Sequence, residues 1–434
     1  MFPSASSPGL QKTTSYKVVL PFYVFASLSL LLACVLLLIN TSVVHQHYFH
    51  PKTLAITHLM ALGWGTMIIL GASHQLLPVL IEGKLNSDFL AFLSFICAGI
   101  GIPFLVTGFY LFHLGWVLQT GAILINVAVI CYFINVVSSI YESKKHDVYA
   151  WFIATASLWL FATVFFGLLL VFNFTRSWLP DNSIEYLSLH AHMGLAGWFL
   201  LLIIGVASRL IPMFLISKYT NTKTLWWIYV LINTALFSFI LLKTLNVYTQ
   251  FYYTPFLLVL IAMMLFGRYC YKAYKVRIRK QVDEQMKVSL LSVALLFLPL
   301  LSLIAVIYFI STDVQAPNLV LLYGFCIFFG WITAIIFGMT FKTLPFIVWN
   351  KVYHTRAVGK TPVPKELFSE RLFQIMSLFY LLGFALFLFG IILLNDILLK
   401  SGAVSLLASA IFYVCNVGKT LFHQPKSNGS HNEQ

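Results

Sequence analysis

His58, His190 and His192 are the residues of this chain best suited to chemistry. A neutral imidazole can offer a ring nitrogen to heme iron, copper or zinc. All three lie in long apolar stretches, where an ionisable group is costly and marks a functional site or an interior-facing position. His190 and His192 are two residues apart, about 200° around a helix, so they must face different neighbours. His58 and His192 each stand five residues before the glycine of a Gly-Trp pair, Gly63-Trp64 and Gly197-Trp198. Equivalent positions predict that His58 and His192 face one another across a flat cavity, with His190 pointing into a second space. The alternative is that these imidazoles satisfy backbone carbonyls at the water interface.

Other polar residues are weaker candidates. His113 precedes Gly115-Trp116 at the turn between the third and fourth apolar runs and is either a further metal ligand or a solvated interface residue. His45 and His47 form a loop pair that would bind a metal only adventitiously. His74 comes about 24 Å after His58 along a helix and cannot share a metal with it; with Gln75, Arg209 and Lys342 it reads as a polar collar. Tyr323 occupies the place of His190 in a third copy of the motif and reads as a packed tyrosine. The six cysteines are scattered and form no Cys-x-x-Cys pair, so neither a disulfide framework nor a thiolate metal site is expected.

The elements that carry these residues repeat. Gly63-Trp64, Gly71 and Pro78 recur as Gly197-Trp198, Gly205 and Pro212, and again as Gly330-Trp331, Gly338 and Pro345, with Phe325 where the first two copies have histidine. Such a period implies one structural unit used three times. With 60% hydrophobic residues, 9% charged residues and a mean hydropathy of +0.90, the chain must be a polytopic membrane protein. A span needs roughly 20 apolar residues. Twelve such runs are present, at about 17–40, 54–80, 88–111, 115–140, 149–174, 187–216, 224–245, 252–274, 287–311, 317–349, 370–394 and 398–422. The expected fold is therefore all-α, with twelve transmembrane helices in three four-helix repeats (about 17–140, 149–274 and 287–422) related by pseudo-threefold symmetry. One membrane domain, 17–422, is flanked by polar tails at 1–16 and 423–434.

All but five of the 27 Lys and Arg fall on the side of the N-terminus; Lys52, Arg176, Lys243 and Lys400 lie opposite, and Arg209 lies within a span. This asymmetry predicts cytoplasmic N- and C-termini. The net charge of +14 is mostly that signal and not a nucleic-acid footprint. The basic loop from Lys272 to Lys287 suits anionic lipid headgroups.

His190-Ala-His192, Gly194-Leu-Ala-Gly197-Trp198, Gly205 and Leu210-Ile-Pro212 resemble the heme-binding helix of subunit I in the heme-copper oxidase superfamily, especially the C-type cytochrome c oxidases and nitric oxide reductases. The helix from His58 to Pro78 has the same cast. The family's twelve helices in three four-helix arcs match the architecture over nearly the whole chain, and twelve-helix membrane heme proteins of the NnrS type, linked to nitric oxide, are similar too. The chain departs from the family in carrying Tyr323 and Phe325 where the family's tenth helix has its His-x-His pair, and no histidine from Thr224 to Leu245, where the copper-site pair should be. A standard binuclear centre cannot be assembled from these positions.

The resemblance implies a membrane heme protein in respiratory electron transfer or in handling oxygen or nitric oxide. Its b-type heme would be held by His58 and His192 between the second and sixth helices, and His190 would ligate a second heme or a metal. It implies a bacterial inner membrane, a cytochrome c or quinol electron donor and other respiratory subunits. Asp and Glu number 13 and fall nearly all in loops, so proton pumping has no support. Two other readings are a copper or other metal transporter or assembly factor on the same scaffold, and a structural subunit without cofactor.

Overall fold

The computed structural model describes residues 14–312, 314, 316–353 and 361–424. The polar N-terminal tail, apart from residues 14–16, and most of the C-terminal tail lie outside that range, as do His354 and His431. Twelve helices long and apolar enough to cross a membrane are present: α1 Tyr16–Ile39, α2 Pro51–Leu80, α3 Asp88–Tyr110, α4 Trp116–Tyr141, α5 Val148–Arg176, α6 Leu187–Leu215, α7 Thr222–Thr244, α8 Thr249–Lys275, α9 Glu284–Ser311, α10 Pro317–Tyr353, α11 Glu370–Leu393 and α12 Asp396–Leu421. Each apolar run expected from the sequence is one of these helices. No strand occurs among the described residues.

Local chemistry sets the helix starts. Ser87, Asp147, Asn221, Asp283, Ser369 and Asn395 each accept a backbone N–H of the first turn that follows, satisfying donors that have no intrahelical partner. Pro51 and Pro317 open α2 and α10, where a missing N–H costs nothing. Hydrocarbon demands that each span satisfy its own backbone, and helices do so.

The three Gly-Trp helices are the innermost. In the most apolar stretch of α2, α6 and α10, 72% is buried, against 28% in α7 and α8, which face outward. Each inner helix contains a π-helical segment at the motif: Leu59–Thr66, Met193–Leu200 and Cys326–Ile332. The wider turn is absent from any 3.6-residue reading of the sequence and often marks functional positions. Trp64 Nε1 donates to Thr333 Oγ1, and Trp198 Nε1 to Thr66 Oγ1, each at 3.1 Å. These two bonds tie α2 to α10 and α6 to α2; Leu200, two residues after Trp198, has no hydroxyl for a third.

Between these helices lies an apolar cavity of about 100 Å³, lined by equivalent residues of the three sequence copies: Ile69, Ile203 and Ile336 at one level, Ala72, Val206 and Met339 at the next. The motif prolines do not break their helices. Helix continues through Pro78, Pro212 and Pro345 to Leu80, Leu215 and Tyr353, because neighbouring helices and local adjustment accommodate one missing donor. Proline does interrupt α9, which is broken at Leu296, three residues before Pro299.

The outer hairpins differ in tightness. A methyl on Gly121 of α4 would lie 2.4 Å from the Leu105 backbone nitrogen of α3, and one on Gly402 of α12 would lie 2.5 Å from that of Phe387 in α11. Such contact between backbones is how helices associate in lipid, where no hydrophobic force draws them together. At the start of α9, Lys342 of α10 and Arg279 bind Asp283.

Candidate functional site

His58 ends the regular first part of α2, immediately before its π segment, and His192 holds the same place in α6. Each is fixed by its own helix. His58 Nδ1 lies 2.8 Å from the Leu54 carbonyl, and His192 Nδ1 lies 2.7 Å from that of Ser188. A carbonyl only accepts, so Nδ1 carries the proton in both rings. In the neutral imidazole Nε2 is then left with its lone pair directed away from the helix. Metal-binding histidines are oriented by the same kind of bond.

The structure brings together a different pair from the one that equivalent positions predict. His58 meets His190, not His192: their ring centroids are 6.4 Å apart and their planes 25° from parallel. Both border a cavity of about 190 Å³ between α2, α3, α4, α5 and α6. His192 borders a second cavity of about 720 Å³ and meets Tyr323 of α10, with centroids 5.9 Å apart and planes at 22°. Leu54, Thr57, Ala191 and Leu195 line both cavities and form the wall between them. The reason lies in which helices are neighbours: His58 of α2 finds the α6 residue two before His192, and His192 finds Tyr323 of α10, the counterpart of that same residue in the third sequence copy. His190 therefore belongs with His58, and the outlying space belongs to His192.

His190 is seated by α5. A methyl on Gly167 would lie 2.9 Å from His190 Cε1, so only glycine leaves room for the ring. The His58 ring stacks on Phe109 of α3 with centroids 4.8 Å apart. Two buried polar atoms in this cavity have no protein partner among the described residues, His190 Nδ1 and Asn126 Oδ1. Leaving such an atom unpaired costs about 1–3 kcal/mol, which a polar ligand or a held water relieves.

Two imidazoles bound to opposite sides of one metal ion, each with a metal–nitrogen distance of about 2.0–2.1 Å, bring their centroids to roughly 6 Å. The His58–His190 spacing fits that arrangement, with apolar walls such as Leu105, Phe109 and Val164 around the rings; at about 190 Å³ the cavity is smaller than usual for an organic ligand, so a macrocycle would have to part these walls. The His58–His192 pair does not fit, because the wall separates them. No cluster of three or more His, Cys, Asp or Glu suited to a metal occurs among the described residues.

The remaining candidates lie elsewhere. His113 is exposed at the α3–α4 turn and borders none of the three cavities described. His45 bonds Asp396 at the start of α12, while His47 accepts the Phe49 N–H and packs on Tyr48. His74 is fully buried between Phe22 and Tyr132, with both ring nitrogens unpaired. It does not join Lys342, which is committed to Asp283, or Arg209, which lies over Tyr149.

Sequence reasoning passed over Asn126, Gly167 and the partnership of Tyr323. Asn126 was visible as an amide in an apolar run, and Tyr323 as the third-copy counterpart of His190; nothing marked Gly167. No protein-family model matches the chain, and no curated protein matches it in sequence.

Proposed function

We propose that this chain is a membrane heme protein of the oxidase subunit I type, whose b-type heme would be held between α2 and α6 by His58 and His190. The observation that carries the reading is the facing pair of imidazoles 6.4 Å apart, one of them locked with Nε2 free. A heme bound there supplies a one-electron iron couple. The chain's part is to hold His58 in one tautomer through the Leu54 carbonyl, to seat His190 against Gly167, and to keep water from the slot with Phe109 and its apolar neighbours. This is the machinery of respiratory electron transfer or of oxygen or nitric oxide handling, in a bacterial inner membrane with both termini cytoplasmic. The partners are a cytochrome c or quinol donor and other respiratory subunits, and the three repeats are related by pseudo-threefold rotation.

The test is an oxidised and a dithionite-reduced optical spectrum of the detergent-purified protein, with metal analysis of the same sample. A Soret band and sharp reduced α-bands support the reading. Copper without porphyrin would replace it with metal transport or assembly, and a folded chain with neither would leave the cofactor-free structural subunit.

A further inference from the structure

The larger cavity is graded along its length. It runs between α2 and α6 through α10, and its lining on α6, from Leu187 to Leu200, spans about 20 Å at 1.5 Å per residue. At the end opposite the chain termini the wall is polar, formed by His47, Tyr48, Thr53, Glu185, Lys243 and Tyr252. His47 and Glu185 are exposed there, so the cavity opens to solvent at that end. Thr57, His192 and Tyr323 lie about 7–9 Å further in, counted from the first residues of α2, α6 and α10. Beyond them the wall is apolar, with Met60, Leu200, Met263, Leu300 and Phe329.

Each polar level lacks a partner of a definite kind. Lys243 is half-buried, yet neither it nor Glu185 has an ion-pair partner among the described residues. Glu185 lies beside Tyr48, whose phenol is pushed up by burial and then by that carboxylate. One molecule carrying both an anion and a cation answers the two charges. At the second level His192 Nδ1 donates to the Ser188 carbonyl, so Nε2 only accepts. The Tyr323 hydroxyl stands 3.4 Å from it, at the outer limit of a hydrogen bond. A ligand hydroxyl there donates to Nε2, and a ligand carbonyl accepts from Tyr323. The volume of about 720 Å³ lies within the range of small-molecule sites.

Charge pair, then hydroxyl and carbonyl, then hydrocarbon is the order of groups along a single-chain glycerophospholipid. A diacyl lipid has no glycerol hydroxyl to offer His192 Nε2. We infer that this cavity binds a single-chain phospholipid of the lysophosphatidylethanolamine class, with its phosphate at Lys243 and its ammonium at Glu185. Its glycerol hydroxyl and ester meet His192 and Tyr323, and its chain lies along α8 and α9. This binding does not rest on the heme reading, and heme does not enter its test.

The test is native mass spectrometry of the full chain, released from maltoside micelles and titrated with palmitoyl lysophosphatidylethanolamine. The expected result is one saturable adduct per chain, weakened at least about tenfold by Lys243→Met and about threefold by Glu185→Gln, where solvent screens the pair. Palmitoyl lysophosphatidylglycerol, which keeps the phosphate and lacks the ammonium, should bind the native chain less well than the parent, and the two should bind the Glu185 variant alike. The 2-deoxy analogue, which lacks the glycerol hydroxyl, should bind the native chain as weakly as the parent binds His192→Leu. Lys400→Met is the control, an exposed lysine near the same end that does not border the cavity, and the unfolding midpoint is measured on every variant. Adducts that never saturate, that the three cavity variants leave unchanged, or that maltoside displaces at equal concentration would overturn the site. Tighter binding of diacyl phosphatidylethanolamine than of the single-chain form, or no preference among the three single-chain probes on the native chain, would overturn the assignment of its ligand.

Discussion

Replacing Gly167 by alanine tests how His190 is positioned without altering any ligand. The added methyl would stand 2.9 Å from His190 Cε1, and ordinary contact begins at 3.4 Å, so the ring or α5 must move by about 0.5 Å. Metal–ligand distances tolerate only about 0.2 Å, so on the proposed function a displacement of this size is enough to weaken or break the bond that His190 would make to the iron. Overpacking of this kind also costs about 1–3 kcal/mol. The assay is the amplitude of the reduced α-band per chain in detergent, together with the midpoint of thermal unfolding. Gly418→Ala is the control, since its methyl would meet nothing within 4 Å. We expect Gly167→Ala to lose most of the six-coordinate signal and to unfold at lower temperature, and Gly418→Ala to match the native chain in both. If the two variants behave alike, the seating of His190 on α5 is wrong.

Three further outcomes are expected. Trp198→Phe removes the bond to Thr66 and should lower stability by about 0.6–1.7 kcal/mol in detergent unfolding, while Trp331→Phe, whose indole makes no hydrogen bond among the described residues, should cost less. Gly121→Val should abolish stable accumulation of folded protein, because α3 and α4 cannot separate by an ångström in lipid without losing their packing. Asp283 gives a pH dependence: burial alone would raise its carboxyl, but Lys342, the Met286 N–H and Arg279 hold it below its ordinary value of 3.8. A depressed folded-state value means that this stabilisation is present above the unfolded value and is lost as pH falls through the folded one. The unfolding midpoint should therefore drop below about pH 4 in the native chain, and Asp283→Asn should flatten that acid limb and start from a lower midpoint.

The spans and their repeat could be read from the sequence because hydrocarbon imposes length and apolarity on every helix and the glycine-tryptophan skeleton recurs at fixed spacing. The helix partners could not. Two histidines at equivalent positions look like a pair in one dimension, but His58 and His192 sit at successive interfaces, and the interface rule is visible only once α6 and α10 lie on either side. The relation His58 to His190 is repeated as His192 to Tyr323, so the sequence contained the answer in its offsets without indicating which offset mattered. The π turns at Leu59–Thr66 and Met193–Leu200 change the facing of residues around the motif by an amount that no regular period reports. Gly167 carried no signal because its role exists only where α5 meets the ring of His190.

The pairing of His58 with His190 is tested most directly by comparing reduced optical spectra of His190→Ala and His192→Ala, purified side by side with the native chain. The account predicts that His190→Ala loses the sharp bis-histidine α-band while His192→Ala keeps it. Loss of that band in His192→Ala with its retention in His190→Ala would contradict the pairing.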